Sequence, residues 1–145
     1  MSTPRVDFYI IEDPSGNGRL GLACKLAEKA YLAEQRVLVW HTDAAELKTL
    51  DEMLWTFRDG SFIPHEILGQ LAGDGSEAAV LLSSSVMPSP ALEVVINLAA
   101  DVPDFVAQCK RVVEIVDGDS GRRAAGRARF KAYRERGVQP ASHNL

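Results

Sequence analysis

Five short β-rich runs, each separated from the next by a helical or turn-rich stretch, do most to restrict what this chain can fold into. They lie at 6–11 (Val-Asp-Phe-Tyr-Ile-Ile), 36–41, 78–82, 93–98 and 111–116. Between the first two, Leu20, Ala23, Cys24, Ala27 and Tyr31 recur at helical spacing. Asp43 is placed to cap a second helix through Leu47, Leu50, Met53 and Leu54. Pro103 can open a short helix over 104–109, and the turn at 117–120 leads into a last helix ending near Gly137. Strands alternating with helices predict an α/β fold: a mainly parallel sheet flanked by helices, with right-handed crossovers. At 145 residues the chain is one domain. The reading assigns 1–137 to that domain and 138–145 to a polar, mobile tail. Segments around 73–76 and 83–90 are expected as loops.

Charge is unevenly distributed. Arg122, Arg123, Arg127, Arg129, Lys131, Arg134 and Arg136 face only Glu135, a local balance of +6, so the remainder carries −10 of the net −4. An acidic body with one basic end suggests an anionic partner for that end. Cys24 and Cys109 lack metal-ligand spacing and are expected as reduced core residues of a cytoplasmic protein. No apolar run approaches a membrane helix in length, and nothing at the start resembles a secretory signal.

The stretch from Leu54 to His65 contains Trp55, Phe57, Phe62, Ile63, Pro64 and His65 without a clean period. Its aromatic surface either plugs the edge of the core or forms a docking surface.

Gly16, Gly18 and Gly21 match the dinucleotide-binding spacing Gly-x-Gly-x-x-Gly, between a predicted strand and a helix, and Asp43 lies where a ribose-binding acid would. Against this, Asp13-Pro14-Ser15 lengthens the turn and Arg19 can fill the crevice. The alternative is a turn that caps the first helix. His41, His65 and His143 form no metal-ligand pair, and neither a nucleophile elbow nor another catalytic set is recognisable. Such a domain is expected to bind rather than catalyse.

In the last helix, Ala124, Ala125, Ala128 and Ala132 share one side and are expected to lie against the sheet. Arg123, Arg127, Phe130 and Arg134 share another. Arginines around an aromatic suit an acidic peptide with an apolar end, or a phosphate backbone, and Val116 could line the same pocket. The bland alternative is a solvated basic face.

Four segments carry a family resemblance: Val6-Asp7-Phe8-Tyr9; Arg36-Val37-Leu38; Leu50-Asp51-Glu52-Met53-Leu54-Trp55 followed by Ser61-Phe62-Ile63-Pro64-His65; and Arg129-Phe130-Lys131-Ala132-Tyr133-Arg134. Over nearly its full length the chain resembles the chi subunits of bacterial DNA polymerase III holoenzyme, accessory proteins of the clamp loader. The resemblance implies a Rossmann-like domain without nucleotide chemistry or cofactor, acting as an adaptor. One surface would bind the psi subunit or a competing helicase-like protein, through Trp55 and Phe62, with Pro64 and His65 shaping it. The other would bind the acidic, Phe-terminated tail of single-stranded DNA-binding protein through Val116, Arg123, Arg127, Phe130 and Ser142, with Tyr133 and Arg134 in the same motif. Contact with DNA would be mainly indirect. Arg123 stands where better-known members carry Lys, and Phe130 replaces a Tyr, keeping the ring without its hydroxyl. The Gly16–Gly21 spacing is not a family feature.

Overall fold

The computed structural model describes residues 4–56, 64–67, 80–83 and 93–145. The elements run β1 (Arg5–Ile10), α1 (Asn17–Leu32), β2 (Val37–Trp40), α2 (Ala44–Thr56), β3 (His65–Ile67), β4 (Val80–Ser83), β5 (Val94–Asn97), a 3-10 turn (Val106–Gln108), β6 (Arg111–Val116), α3 (Ser120–Glu135) and β7 (Ala141–Asn144). Among the described residues the strands form one seven-stranded sheet in the order β3-β4-β2-β5-β6-β1-β7. Every pairing in it is parallel.

The central strands explain why the sheet is covered on both faces. Val37, Leu38 and Val39 of β2, Val95 and Ile96 of β5 and Leu81 of β4 are all fully buried, as strands between two layers must be. On one face, Val39, Ile96, Val113 and Ile115 meet Leu20, Ala23, Cys24 and Ala27 of α1 and Leu47, Leu50 and Leu54 of α2. On the other, Phe8, Leu38, Val95 and Val112 meet Tyr133 of α3 and Phe105, Val106 and Cys109 near the 3-10 turn. The expected cap of α2 is made: Asp43 Oδ1 accepts from the backbone N–H groups of Ala45 (2.9 Å) and Glu46 (3.2 Å). Burial pushes the Cys24 thiol up to about 12 and Cys109 up to about 11, so both behave as inert apolar groups.

Four local expectations are corrected. Residues 138–145, read as a mobile tail, contain edge strand β7, which pairs with β1 from Asp7↔Ala141 to Ile10↔Asn144. Ala-Ser-His-Asn has no strand signature; side chains reinforce its backbone pairing with β1. His143 Nε2 lies 3.0 Å from Asp7 Oδ1, and the His143 ring stacks on Tyr9 at 4.9 Å. Second, β3, which begins at His65, the last residue of the aromatic stretch, is a strand outside the five expected runs and pairs with β4 on the opposite edge. Third, the helix expected at 104–109 is the 3-10 turn, and Ser83, read as loop, ends β4 and is buried. Fourth, the alanine stripe of α3 does not face the sheet. Ala124 and Ala128 are exposed, while Gly126, Arg129 and Tyr133 are buried. The inward face is turned roughly a third of a turn from the alanines, at 100° per residue.

The reason is a polar cluster inside the core. Glu114, in mid-β6, receives hydrogen bonds from Arg129 Nε (2.8 Å), Asn97 Nδ2 (2.9 Å) and the Tyr133 hydroxyl (2.6 Å). Arg129 also donates to the Ala100 carbonyl (3.0 Å). Burial raises the pKa of Glu114 while Arg129, Asn97 and Tyr133 pull it down, and burial raises that of Tyr133. A buried carboxylate with this set of donors fixes the rotation of α3 more strongly than small side chains do.

Candidate functional site

Beside α3, on the β7 side of the sheet, is a cavity of about 210 Å³. Its floor is Phe8 and Ile10 of β1, Val116 at the end of β6 and Ser142 of β7. Register explains the grouping: Ile10 pairs with Val116 and Phe8 with Ser142. The opposite wall is Arg123, Gly126, Arg127 and Phe130 of α3. Gly126 lets the helix approach, since a Cβ there would meet Val116 Cγ2 at 2.7 Å. Phe130 packs on Phe8 with ring centroids 5.2 Å apart.

Cations stand around this apolar cup. Arg123 is anchored, donating from Nε to the Asp117 carbonyl at 3.2 Å. Arg127 is exposed and makes no hydrogen bond or ion pair among the described residues. A wider groove of about 730 Å³, lined by Arg127, Phe130, Lys131, Arg134, Glu135 and Gln139, continues from the cup along α3. A cavity of about 150 Å³ accepts a benzene ring. The cup therefore has room for one aromatic side chain, and cations on its rim and along the groove can pair with carboxylates.

Five residues singled out from sequence, Val116, Arg123, Arg127, Phe130 and Ser142, meet in this cup. Arg134 lines the adjoining groove. Tyr133 does not line the cup. It is fully buried, edge-on to Phe8 at 5.9 Å, and supports the floor from behind. Sequence reasoning missed Phe8, Ile10 and Gly126; strand pairing, which the residues alone do not reveal, brings the first two in. The basic cluster also turns fewer charges outward than its count suggests. Arg129 is spent on Glu114, and Arg122 binds both oxygens of Asp117 at 2.8 Å.

At the other edge of the sheet, Trp55 at the end of α2 is 48% exposed, and its ring lies 4.4 Å from that of His65 in β3. The His65 ring is buried, with Nε2 3.1 Å from both the backbone carbonyl and Oδ1 of Asp51. His65 thus holds the indole in place, Pro64 is half-buried beside it, and Phe62 lies outside the described residues.

The glycine spacing does not form a phosphate cradle. Gly16 adopts a left-handed conformation (φ 90°) and precedes α1 without a side-chain cap. The Asp13 carboxylate occupies the anion position: it accepts from Ser15 N at 2.9 Å, and a Cβ on Gly18 would meet its Oδ2 at 2.9 Å. Backbone hydrogen bonding from Ser15, with a contribution from Gly18, holds this carboxyl below its ordinary value. Asp43, at the ribose-acid distance, is the α2 cap. Among the described residues no cluster of His, Cys, Asp and Glu could hold a metal ion, and no helix is long and apolar enough to cross a membrane.

The family model described as DNA polymerase III chi subunit, HolC, matches residues 3–141. The DNA polymerase III subunit chi of Pseudomonas aeruginosa is 39% identical over 141 residues, covering 97% of this chain and 96% of that relative. Its counterpart in Escherichia coli is 27% identical over 134 residues, covering 90% of each. That of Haemophilus influenzae is 25% identical over 141 residues, with 95% of each covered. With a match from residue 3 to residue 141, the chain belongs to the DNA polymerase III chi subunit family.

Proposed function

We propose that this chain, a non-catalytic accessory subunit of DNA polymerase III, joins the clamp loader to single-stranded DNA-binding protein in the cytoplasm. The cup between α3 and β7 takes the terminal Phe of that protein's acidic tail. Arg127 and Arg123 meet its carboxylates, and Arg134 meets acidic residues further along the tail. The observation that carries this reading is an apolar cavity of about 210 Å³, sized for one aromatic ring, with an arginine on its rim that makes no hydrogen bond or ion pair among the described residues. The Trp55 surface, with Phe62, Pro64 and His65, takes the psi subunit or a helicase-like competitor. DNA is then reached mainly through the partner.

Calorimetric titration with an acidic peptide ending in Pro-Phe tests the cup. Low-micromolar affinity is expected, roughly −8 kcal/mol, weakening as salt is added. Deleting the terminal Phe or introducing Arg127→Ala should each weaken binding several-fold. Unchanged affinity in Arg127→Ala would remove the cup from the assignment.

A further inference from the structure

The β7 wall of the cup is held from the opposite face of the sheet. Side chains alternate between faces along β1 and β7. Phe8, Ile10 and Ser142 line the cup on the α3 face, which leaves Asp7, Tyr9 and His143 on the α1 face. Before β7 the chain is anchored: Val138 is buried, and its N–H donates to the Tyr133 carbonyl at 3.1 Å. Beyond that point less holds it. Among the described residues β7 has one neighbouring strand, β1. Ala141, Ser142 and Asn144 are exposed, and His143 alone of the four is half-buried. A four-residue edge strand with no apolar side chain in the core belongs with the elements that open locally at low cost.

The seat for His143 is built from the rest of the sheet. Asp7 is fully buried. Its Oδ2 receives Arg111 Nε at 3.0 Å and Arg5 Nε at 3.1 Å, which leaves Oδ1 to face His143 Nε2 at 3.0 Å. A carboxylate only accepts, so Nε2 carries the hydrogen. Arg111 also donates from Nη2 to the Tyr9 hydroxyl at 3.1 Å, which fixes the ring on which the imidazole stacks, with centroids 4.9 Å and planes 24° apart. One arginine of β6 thus orients both groups that His143 meets. A hydrogen bond to a buried carboxylate is among the stronger single contacts a side chain can make.

We propose that His143 is a positioning residue for the peptide cup. It lies on the face away from the cup, and by seating on Asp7 and Tyr9 it keeps β7 docked and Ser142 on the cup floor. A cup that is complete only while β7 is docked binds in proportion to the docked fraction. Weakening the seat therefore lowers the apparent affinity without removing any group that meets the peptide. The inference rests on the reading of the cup as the peptide site.

The test pairs calorimetric titration of the acidic Pro-Phe peptide with amide hydrogen exchange on the full chain. The reporter is the Leu145 N–H, which donates to the Ile10 carbonyl at 3.0 Å and is freed when β7 lifts. His143→Ala should speed exchange there by about tenfold or more and weaken the peptide by about fivefold or more, while the buried strands β2 and β5 change far less. His143→Gln, whose Nε2 can still donate to Asp7, should recover most of the affinity lost in His143→Ala. A histidine that merely stabilises the fold would lower the urea midpoint and leave peptide affinity unchanged. The proposal is overturned if the wild type and His143→Ala bind the peptide equally, or if Leu145 exchanges at the same rate in both. If the wild type itself does not bind, the reading of the cup fails, and this inference falls with it.

Discussion

Gly126→Ala separates two forces whose signs oppose. On helix propensity alone, replacing a mid-helix glycine by alanine stabilises by about 1 kcal/mol. At Gly126 the new methyl would lie 2.7 Å from Val116 Cγ2 and 3.3 Å from Cγ1. Carbon atoms rest near 3.5–4.0 Å, so about 1 Å of relief is needed. Val116 is β-branched, stiff about χ1 and nearly buried at the end of a paired strand, so α3 must lift instead. Overpacking of this kind costs about 1–3 kcal/mol. The net effect is a loss of between roughly 0 and 2 kcal/mol. Because Val116 and Gly126 both line the cup, the same movement should weaken an acidic Phe-terminated peptide by about fivefold or more, near 1 kcal/mol. Gly21 is the control, since nothing lies within 4 Å of its would-be Cβ on α1. Gly21→Ala should stabilise by the propensity term alone and leave peptide affinity intact. Urea unfolding and calorimetry read both quantities. If Gly126→Ala is stabilised as much as Gly21→Ala and binds the peptide normally, the argument from close approach is wrong.

Arg129→Met strands the buried Glu114 carboxylate and should cost about 3–5 kcal/mol in urea unfolding, while the double variant with Glu114→Gln should cost less than the two single changes summed. Burial works against ionising Asp7, but His143, Arg111 and Arg5 together hold its carboxyl below the ordinary value. The stability it contributes is therefore present above the unfolded carboxylate value, about 3.9, and is lost as pH falls through the lower folded one. Asp7→Asn should be clearly less stable than wild type at pH 7, with the gap in denaturation curves narrowing as pH falls below about 4. Trp55→Ala removes an exposed ring and should leave the unfolding midpoint nearly unchanged, yet reduce psi binding roughly thirtyfold or more if the indole is an anchor, readable by surface plasmon resonance.

Apolar residues were legible in the sequence where periodicity governs them. Leu20, Ala23, Cys24 and Ala27 pack inward from α1, and Leu47, Leu50 and Leu54 from α2, as their spacing predicts. The reading failed where polar side chains decide the structure. Arg129 counts as surface charge in a sequence, and only the carboxylate of Glu114 on a different element draws it inside. The error over the alanine stripe follows directly, because a helix turns its best-paired side inward, not its smallest. β7 was invisible because its strand character comes from Asp7 and Tyr9, more than a hundred residues away. The cup is the intermediate case. Its α3 wall can be read from one helix, but Phe8 and Ile10 join it only through parallel pairing with β6 and β7.

The sheet order bears on how an adaptor can hold two partners. The cup is built on β1, β6 and β7, and Trp55 stands over β3; β3 and β7 are the two ends of a seven-stranded sheet. At about 4.8 Å per strand, six intervals separate the edges by roughly 29 Å. The supporting helices also lie on opposite faces, α2 with α1 and α3 alone. Between them are the fully buried β2 and β5 and the Glu114–Arg129 pair, which leave little freedom for one edge to move in response to the other. The two surfaces share no side chain and no mobile element among the described residues, so nothing in this geometry provides a conformational coupling between them. Tethering can supply cooperation between partners without such a coupling. A partner held at one edge raises the effective concentration of whatever it carries near the other, and the gain depends on linker reach and not on a change in the domain itself.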